Sequence, residues 1–221
     1  MRLSQAIHGI SGPPSMPATP IVFVVDDDVS VRESLGSLIR NEGWQAALFE
    51  SAQDFLAETP TSSPSCLILD VQLPDLNGLD LQKRITGDKL STPIIFITGY
   101  GDVPTSVQAM KAGAAEFLTK PLTHDVIVAA IRSALLSSQA TLEQESVRRR
   151  LQERFDSLSK REREVMTLVV KGMMNKQVGG ELEISEITVK AHRGRVMEKM
   201  RAATFVELVN MARQLGISTT R

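Results

Sequence analysis

A chain of 221 residues with 42% hydrophobic residues is long enough for two small domains, and its apolar runs are too short to span a membrane. Cys66 is the only cysteine, which excludes an internal disulfide and favours a cytoplasmic protein. The net charge of −1 conceals a split, since residues 1–140 carry 9 Lys and Arg against 15 Asp and Glu, whereas residues 141–221 carry 16 against 11. The split predicts two domains with different partners, and the basic second domain is expected to bind a polyanion.

The first part of the chain predicts an α/β domain behind a short tail. Residues 1–19 are rich in proline and glycine, which predicts a disordered N-terminal tail. Five apolar runs then alternate with helical patterns between residues 20 and 137, and the runs cover residues 21–25, 45–49, 67–69, 94–97 and 116–119. This alternation predicts a (βα)5 doubly wound parallel sheet with helices on both faces.

The second part of the chain predicts an all-α domain. Residues 138–156 are charged and lack glycine and proline, so the fifth helix is expected to continue as a helical linker, with a flexible linker as the alternative. Ser159 and Glu162 have the spacing of a capping box, and Asn175 and Ser185 are expected to cap two further helices. Because the second of these helices is basic, residues 157–221 indicate a helix-turn-helix domain.

Polar side chains stand at four predicted strand ends of the first domain, namely Asp26 and Asp27, Asp70, Thr98, and Lys120. In a parallel sheet these ends share one edge, so the side chains are expected to converge. Crowded carboxylates repel one another, and a divalent cation such as Mg²⁺ or Mn²⁺ would relieve the repulsion. Thr98 and Lys120 suit the binding of phosphoryl oxygens, and an aspartate can accept a phosphoryl group. We therefore predict that Asp70 is a phosphate acceptor.

Residues 21–137 resemble the receiver domain of two-component response regulators in the segments VVDDD, LILDVQLPDLNG, IFITGYGD and FLTKP. The resemblance implies the strand order 2-1-3-4-5 and phosphorylation of Asp70. It also implies a metal site in which Asp27 and Asp70 bind directly, Asp26 binds through water, and the main-chain carbonyl of Gln72 completes the ligand set.

The same resemblance assigns a switch to the receiver domain. Thr98 and Lys120 correspond to the residues that bind the phosphoryl oxygens, and Phe117 corresponds to the aromatic residue that turns inward when the threonine moves. The resemblance further implies a cis peptide bond before Pro121. Asp28 is an additional acid near the site and is expected to be solvated.

Residues 157–221 are similar to the helix-turn-helix domain of LuxR-type regulators of the FixJ and NarL families, nearest to FixJ, in LSKREREVM and GMMNKQVGGELEISEITVKAHRGRVMEKM. The resemblance implies that three positions of the recognition helix face bases, namely Lys190, Ala191 and Gly194. Charged or polar residues suited to phosphate contact are Thr188, His192, Arg193, Arg195 and Lys199. Thr188 lies at the start of the helix, where capping the helix and contacting a phosphate are competing roles for its side chain.

Three positions, Gly179, Gly180 and Glu183, depart from the usual family pattern of this domain, and a fourth, Gly194, leaves a base-facing position without a side chain. Gly179 and Gly180 stand inside a predicted helix, where each glycine costs about 0.5–1 kcal/mol relative to alanine. Glu183 occupies a turn position where the family favours Gly, Asn or Asp. Gly194 removes a side chain that could read sequence, so specificity is expected to come from elsewhere.

These patterns predict a transcription factor whose Asp70 receives a phosphoryl group from a sensor histidine kinase. Phosphorylation is expected to promote homodimerisation and binding to double-stranded promoter DNA, with RNA polymerase as a further partner and no membrane contact. The expected chemistry is limited to phosphorylation and hydrolysis at its own aspartate, so the protein is not otherwise an enzyme.

Two alternatives remain from the sequence. In one, the protein binds DNA without phosphorylation and uses the receiver only as a dimeriser. In the other, Asp26 and Asp28 are the nucleophile motif of a phosphatase of the haloacid dehalogenase type. That family needs a further acidic pair on a strand end after the lysine, whereas only helices are predicted after Lys120.

Overall fold

The computed structural model describes residues 19–58, 61–74, 76–87, 92–99 and 103–218, and the predicted tail of residues 1–19 lies outside these ranges except for Thr19. The chain divides into two compact units, residues 1–142 and 143–221. Within the described ranges, no helix is both long enough and apolar enough to cross a membrane.

The N-terminal unit is a five-stranded parallel sheet flanked by helices, as predicted. The strands are β1 (Ile21–Val25), β2 (Gln45–Phe49), β3 (Ser65–Asp70), β4 (Ile94–Thr98) and β5 (Glu116–Thr119). The helices are α1 (Val29–Asn41), α2 (Ala52–Leu56), α3 (Gly78–Gly87), α4 (Val103–Lys111) and α5 (His124–Asp156). The strand order is β2-β1-β3-β4-β5, which confirms the order implied by the resemblance.

Both faces of the sheet are covered, because successive strand residues point to opposite sides. On β3, Cys66 and Ile68 belong to one buried cluster, and Leu67 and Leu69 belong to the other. Strand β3 begins at Ser65, two residues earlier than predicted. The polar Ser65 concealed this start, but it is buried and its N–H donates to the Ser138 hydroxyl oxygen at 3.0 Å.

Helix α5 continues without interruption from His124 to Asp156, so residues 138–156 lie in a helix. Its first turns pack on the sheet through Ile127 and Ile131, and Leu151 is buried in the core of the C-terminal unit. The two units divide at residue 142, and the domain limits at residues 137 and 156 stay predictions.

The C-terminal unit adds four short helices, α6 (Lys160–Val170), α7 (Asn175–Leu182), α8 (Glu186–Met200) and α9 (Phe205–Gln214). The predicted caps Ser159 and Ser185 are confirmed, and Ser159 forms a complete capping box with Glu162. The cap predicted at Asn175 is wrong: Met174 holds the extended N-cap conformation, and its N–H donates to the Gln177 side chain at 2.9 Å. The Asn175 side chain accepts a hydrogen bond from α8 instead.

The turn between α7 and α8 explains one of the two interior glycines. A Cβ atom on Gly179 would lie 2.8 Å from the main-chain oxygen of Ile184, closer than the two atoms can approach. A Cβ atom on Gly180 would meet no atom within 4 Å. Glu183 adopts the left-handed conformation, with φ 54° and ψ 40°, and caps α7 where glycine is usual.

The two glycines predict opposite effects of alanine. Gly179→Ala should lower the free energy of unfolding of the C-terminal unit by about 2 kcal/mol, because the methyl group forces α7 away from the turn. The neighbouring control Gly180→Ala should raise it by about 0.5–1 kcal/mol. Urea unfolding followed by circular dichroism measures both, while fluorescence of Trp44 reports on the N-terminal unit. Equal effects of the two variants would contradict the close contact at Gly179.

An ion pair between a buried carboxylate and a partly exposed lysine connects the start of α6 to the end of α8. The Glu162 side chain is 4% exposed, and its Oε2 atom accepts hydrogen bonds from Lys199 Nζ at 2.6 Å and from the Ser159 N–H at 2.8 Å. The bond from Lys199 is the main reason that the pKa of Glu162 falls from 4.5 to about 2.

This depressed pKa predicts how the C-terminal unit responds to acid. Because the carboxyl group binds its proton more tightly in the unfolded chain, its stabilising effect is complete above about pH 4.5 and is lost as the pH falls towards 2. Glu162→Gln should remove this dependence and destabilise the unit at neutral pH by about 2 kcal/mol. Urea unfolding at several pH values measures both effects.

Glu164→Gln is the matched control, because Glu164 pairs with Arg161 at the surface, where such pairs contribute about 0–1 kcal/mol. If the two glutamate variants had the same acid profile, Glu162 would not be the group that titrates.

Candidate functional site

An acidic pocket lies where β1 and β3 end. Asp70 is the last residue of β3, and the register aligns Val25 with Leu69, so Asp26 and Asp70 follow on neighbouring strands. Carboxylate oxygens of Asp26, Asp27 and Asp70 lie within 4.8 Å of one another. Asp26 is 0% and Asp70 is 7% exposed, whereas Asp27 faces solvent. Among the described residues, no other three acidic, histidine or cysteine side chains lie as close together.

Lys120 supplies the positive charge of this pocket from the loop after β5. Its Nζ atom lies 2.7 Å from Asp70 Oδ2 and 2.9 Å from Asp26 Oδ2. Burial raises the pKa of Asp26 despite the hydrogen bond from Lys120. Burial alone would lower the pKa of Lys120, but its bonds to Asp70 and Asp26 outweigh this effect and raise it. The pocket therefore favours binding of further positive charge.

Main-chain groups fix the two buried carboxylates in place. The Asp28 N–H donates to Asp26 Oδ1, and the Gln72 N–H donates to Asp70 Oδ1, both at 2.9 Å. Arg32 on α1 donates from Nη1 to the main-chain oxygen of Asp26 at 2.7 Å. Arg32 is not among the residues that the sequence predicted for this site, because only its position one turn inside the helix after the acidic residues indicates the contact.

Gly78 allows α3 to begin directly behind Asp70. A Cβ atom at this position would lie 2.5 Å from the main-chain oxygen of Asp70 and 3.1 Å from Val71 Cα. Any other residue would have to displace the strand end that carries Asp70. The position of the carboxylate thus depends on a glycine eight residues further along the chain.

The predicted switch residues lie on the neighbouring strands. Thr98 is the last residue of β4, is 1% exposed, and accepts a hydrogen bond from the Lys120 N–H at its main-chain oxygen. The Lys120–Pro121 peptide bond is cis, as the resemblance implied. Phe117 on β5 is half-buried, with its ring centroid 6.2 Å from that of Phe96. The movement of Thr98 and Phe117 stays a prediction.

The pocket suits a hard divalent cation. Carboxylate oxygens are preferred ligands of Mg²⁺ and Mn²⁺, and three carboxylates that face one lysine carry a net negative charge that a cation would stabilise. The exposure of Asp27 leaves one side open for water or a phosphate oxygen. The predicted role of the Gln72 carbonyl oxygen as a ligand stays a prediction.

Helix α8 presents most of the predicted DNA-binding residues at its surface. Its buried side is formed by Val189, Val196 and Met200. The exposed residues are Thr188, Lys190, Ala191, Gly194, Arg195 and Lys199. The Thr188 N–H donates to the capping hydroxyl of Ser185 at 3.1 Å, so Thr188 takes part in the cap.

Three of the residues predicted to contact DNA phosphates are instead bonded to other protein groups or partly buried in this unit. Lys199 is bonded to Glu162, and Arg193 donates from Nη1 to Asn175 Oδ1 at 2.7 Å while its guanidinium group lies 5.3 Å from the Phe205 ring centroid. His192 is half-buried, and its Nδ1 atom has no hydrogen-bond partner among the described residues. Tertiary contacts, which the sequence does not reveal, distinguish Lys199 and Arg193 from the exposed residues Lys190 and Arg195.

Two family models match the chain in succession. The response regulator receiver domain matches residues 22–132, which include every residue of the acidic pocket. The family of bacterial regulatory proteins described as the luxR family matches residues 156–219, which include α6 to α9.

Relatives match the chain across both units. Nodulation protein W of Bradyrhizobium diazoefficiens is 46% identical over 90% of this chain and 87% of that protein. The transcriptional regulatory protein FixJ of the same organism is 40% identical over 89% of this chain and 96% of that protein. A solved structure of the response regulator StyR has a TM-score of 0.80 and 41% identity, and covers 89% of this chain and 100% of that one.

These relatives match the chain across both its parallel-sheet domain, which carries the acidic pocket, and its helical domain, which presents a basic helix. The chain therefore belongs to the two-component response regulators that carry a receiver domain followed by a LuxR-type DNA-binding domain, the group that includes FixJ and nodulation protein W.

Proposed function

We propose that Asp70 is the residue that this transcription factor uses to receive a phosphoryl group from a sensor histidine kinase. The observation that carries the proposal is the position of Asp70 between a cationic and an anionic neighbour, 2.7 Å from Lys120 Nζ and within 4.8 Å of the other two carboxylates. Phosphoryl transfer depends mainly on positioning and electrostatic stabilisation, and this pocket provides both.

In the transfer step, one carboxylate oxygen of Asp70 bonds to phosphorus as the P–N bond of a phosphohistidine breaks. The imidazole leaves with the electron pair of that bond and takes up a proton from water. The Gln72 N–H holds the other carboxylate oxygen, which directs the attacking oxygen towards the pocket. Lys120 then pairs with the phosphoryl oxygens, and the hydroxyl group of Thr98 donates a hydrogen bond to them.

Asp26, Asp27 and Asp70 are the residues that would hold a bound Mg²⁺ or Mn²⁺, together with the carbonyl oxygen of Gln72. Such a cation supplies charge neutralisation between the carboxylates and the incoming phosphoryl group. Hydrolysis of the acyl phosphate on Asp70 returns the protein to its starting state. The proposed chemistry is therefore limited to phosphorylation and hydrolysis at the protein's own aspartate.

The output of the switch is promoter binding by a homodimer. When Lys120 and Thr98 turn towards the phosphoryl group, the contacts at the ends of β4 and β5 change, and Phe117 moves with them. Helix α4 and strand β5 form the face that pairs with a second copy. Two α8 helices then engage a two-fold operator, where the complex contacts RNA polymerase.

The acceptor assignment predicts the result of a mass measurement. After incubation with Mg²⁺ and acetyl phosphate, the wild-type protein should gain the mass of one phosphoryl group, and Asp70→Asn should gain none. Asp80→Asn is a matched control, because Asp80 lies on α3 and pairs with Lys83 at the surface. A mass gain in Asp70→Asn, or no gain in Asp80→Asn, would contradict the assignment.

The surroundings of the basic residues predict different roles in DNA binding. Arg195→Ala should lower the slope of log affinity against log salt concentration by about one, as loss of one phosphate contact does. Lys199→Ala should leave the slope unchanged and reduce the stability of the domain, because its ammonium group is bonded to Glu162. Fluorescence anisotropy at several salt concentrations measures the slope, and Lys83→Ala controls for charge. A smaller slope for Lys199→Ala would show that Lys199 contacts phosphate.

A further inference from the structure

Ile187 is the most exposed large apolar side chain among the described residues, at 82%. It is the second residue of α8, in the first turn of the helix. A single exposed aliphatic residue is ordinary on a protein surface, so its exposure alone carries no meaning. The position of Ile187 relative to the other residues of the helix makes the exposure informative.

Ile187 lies on the helix face that points away from the domain core. With a period of 3.6 residues, positions i, i+3, i+4 and i+7 share one face. Counted from Ile187, these positions are Lys190, Ala191 and Gly194, and all four residues are exposed. They form a stripe, here called the reading stripe, that begins with Ile187.

The first turn of α8 is held in a fixed conformation. Ser185 caps the helix by accepting from the Thr188 N–H at 3.1 Å, and the Ser185 and Thr188 hydroxyl oxygens lie 2.8 Å apart. Ile187 lies between these two residues, and its branched side chain has few χ1 rotamers. The side chain therefore loses little conformational entropy when it makes a contact.

The composition of the reading stripe places its contacts near the N-terminal end of α8. Gly194 has no side chain, and a Cβ atom there would meet nothing within 4 Å. The next position along the stripe is Glu198, which is exposed and would be repelled by DNA phosphates. The residues of this stripe that remain to contact bases are therefore Ile187, Lys190 and Ala191.

We propose that Ile187 reads sequence by packing its side chain against the C5-methyl group of a thymine in the major groove. An aliphatic side chain cannot exchange hydrogen bonds with a base edge, and the thymine methyl group is the apolar feature that the major groove presents. The adjacent Lys190 keeps this part of the helix electrostatically suited to DNA. The inference rests on the proposed DNA-binding function and gives it a recognition chemistry.

The test uses the full-length protein and duplexes of defined sequence. A duplex is selected from a random library by the protein treated with acetyl phosphate and Mg²⁺, and it is resynthesised with deoxyuridine in place of each thymidine in turn. Deoxyuridine lacks only the C5-methyl group. At one position in each half-site, the substitution should weaken binding by wild type about three- to fivefold, as expected for one buried methyl group.

Variants then connect the methyl group to Ile187. Ile187→Ala should weaken binding to the thymidine duplex by a similar or larger factor and should bind the thymidine and deoxyuridine duplexes equally. Ile187→Val should retain most of the preference. Val206→Ala is the matched control, because Val206 is 68% exposed on α9 and lies outside the reading stripe. This variant should retain the full thymidine preference.

Two results would overturn the inference. If a sequence is selected but no deoxyuridine substitution distinguishes wild type from Ile187→Ala, Ile187 does not read a thymine methyl group, and the proposed DNA-binding function is unaffected. If no sequence is selected at all, both the sequence-specific DNA-binding function and the role of Ile187 are contradicted.

Discussion

The contact of Lys120 with two buried carboxylates is the interaction on which the receiver unit depends. Asp26 and Asp70 end neighbouring strands and are almost completely buried, so their charges are costly without a cation nearby. Lys120 reaches them from β5, which is separated from β3 by β4. Its long side chain crosses the end of β4 and places Nζ 2.7 and 2.9 Å from the two acids. A charge-sensitive pocket therefore joins three strands of the sheet.

The same pocket supports the proposal that phosphorylation of Asp70 acts as a signal. A phosphoryl group on Asp70 offers Lys120 a stronger anionic partner than the carboxylates that it binds in this structure. Thr98 and Phe117 lie on the two strands beside the pocket, so a change in the Lys120 contacts acts first on β4 and β5. Under this proposal, a local change of charge would be coupled to the surface of the domain.

The C-terminal unit uses a second buried carboxylate, paired with a lysine, for a structural purpose. Glu162 closes the capping box of α6 and binds Lys199 at the end of α8, which connects these two helices. Arg193 similarly joins α8 to α7 and α9 through Asn175 and Phe205. Part of the basic charge of α8 thus stabilises the domain, which leaves less of that charge for the proposed contacts with DNA.

The turn between α7 and α8 shows why a departure from a family pattern is not necessarily a defect. Glycine inside a helix is unfavourable because the unfolded chain has more conformational freedom. At Gly179 the close approach of the Ile184 carbonyl oxygen makes glycine necessary, whereas Gly180 has open space around it. Glu183 accepts a left-handed conformation that costs a non-glycine residue roughly 1 kcal/mol or more. Neighbouring residues of one sequence motif therefore have opposite energetic roles.

The sequence by itself determined the alternating strands and helices, the four polar strand ends and the caps at Ser159 and Ser185, because periodicity and short-range hydrogen bonds depend on local residues. The structure confirmed these elements. Tertiary structure decided which charged side chains meet: Lys120 with Asp26 across 94 residues, and Lys199 with Glu162 across 37. It also decided that Gly179 needs to be glycine and that Ile187 faces outward. Such contacts depend on how elements pack, and no periodicity in the sequence records that packing.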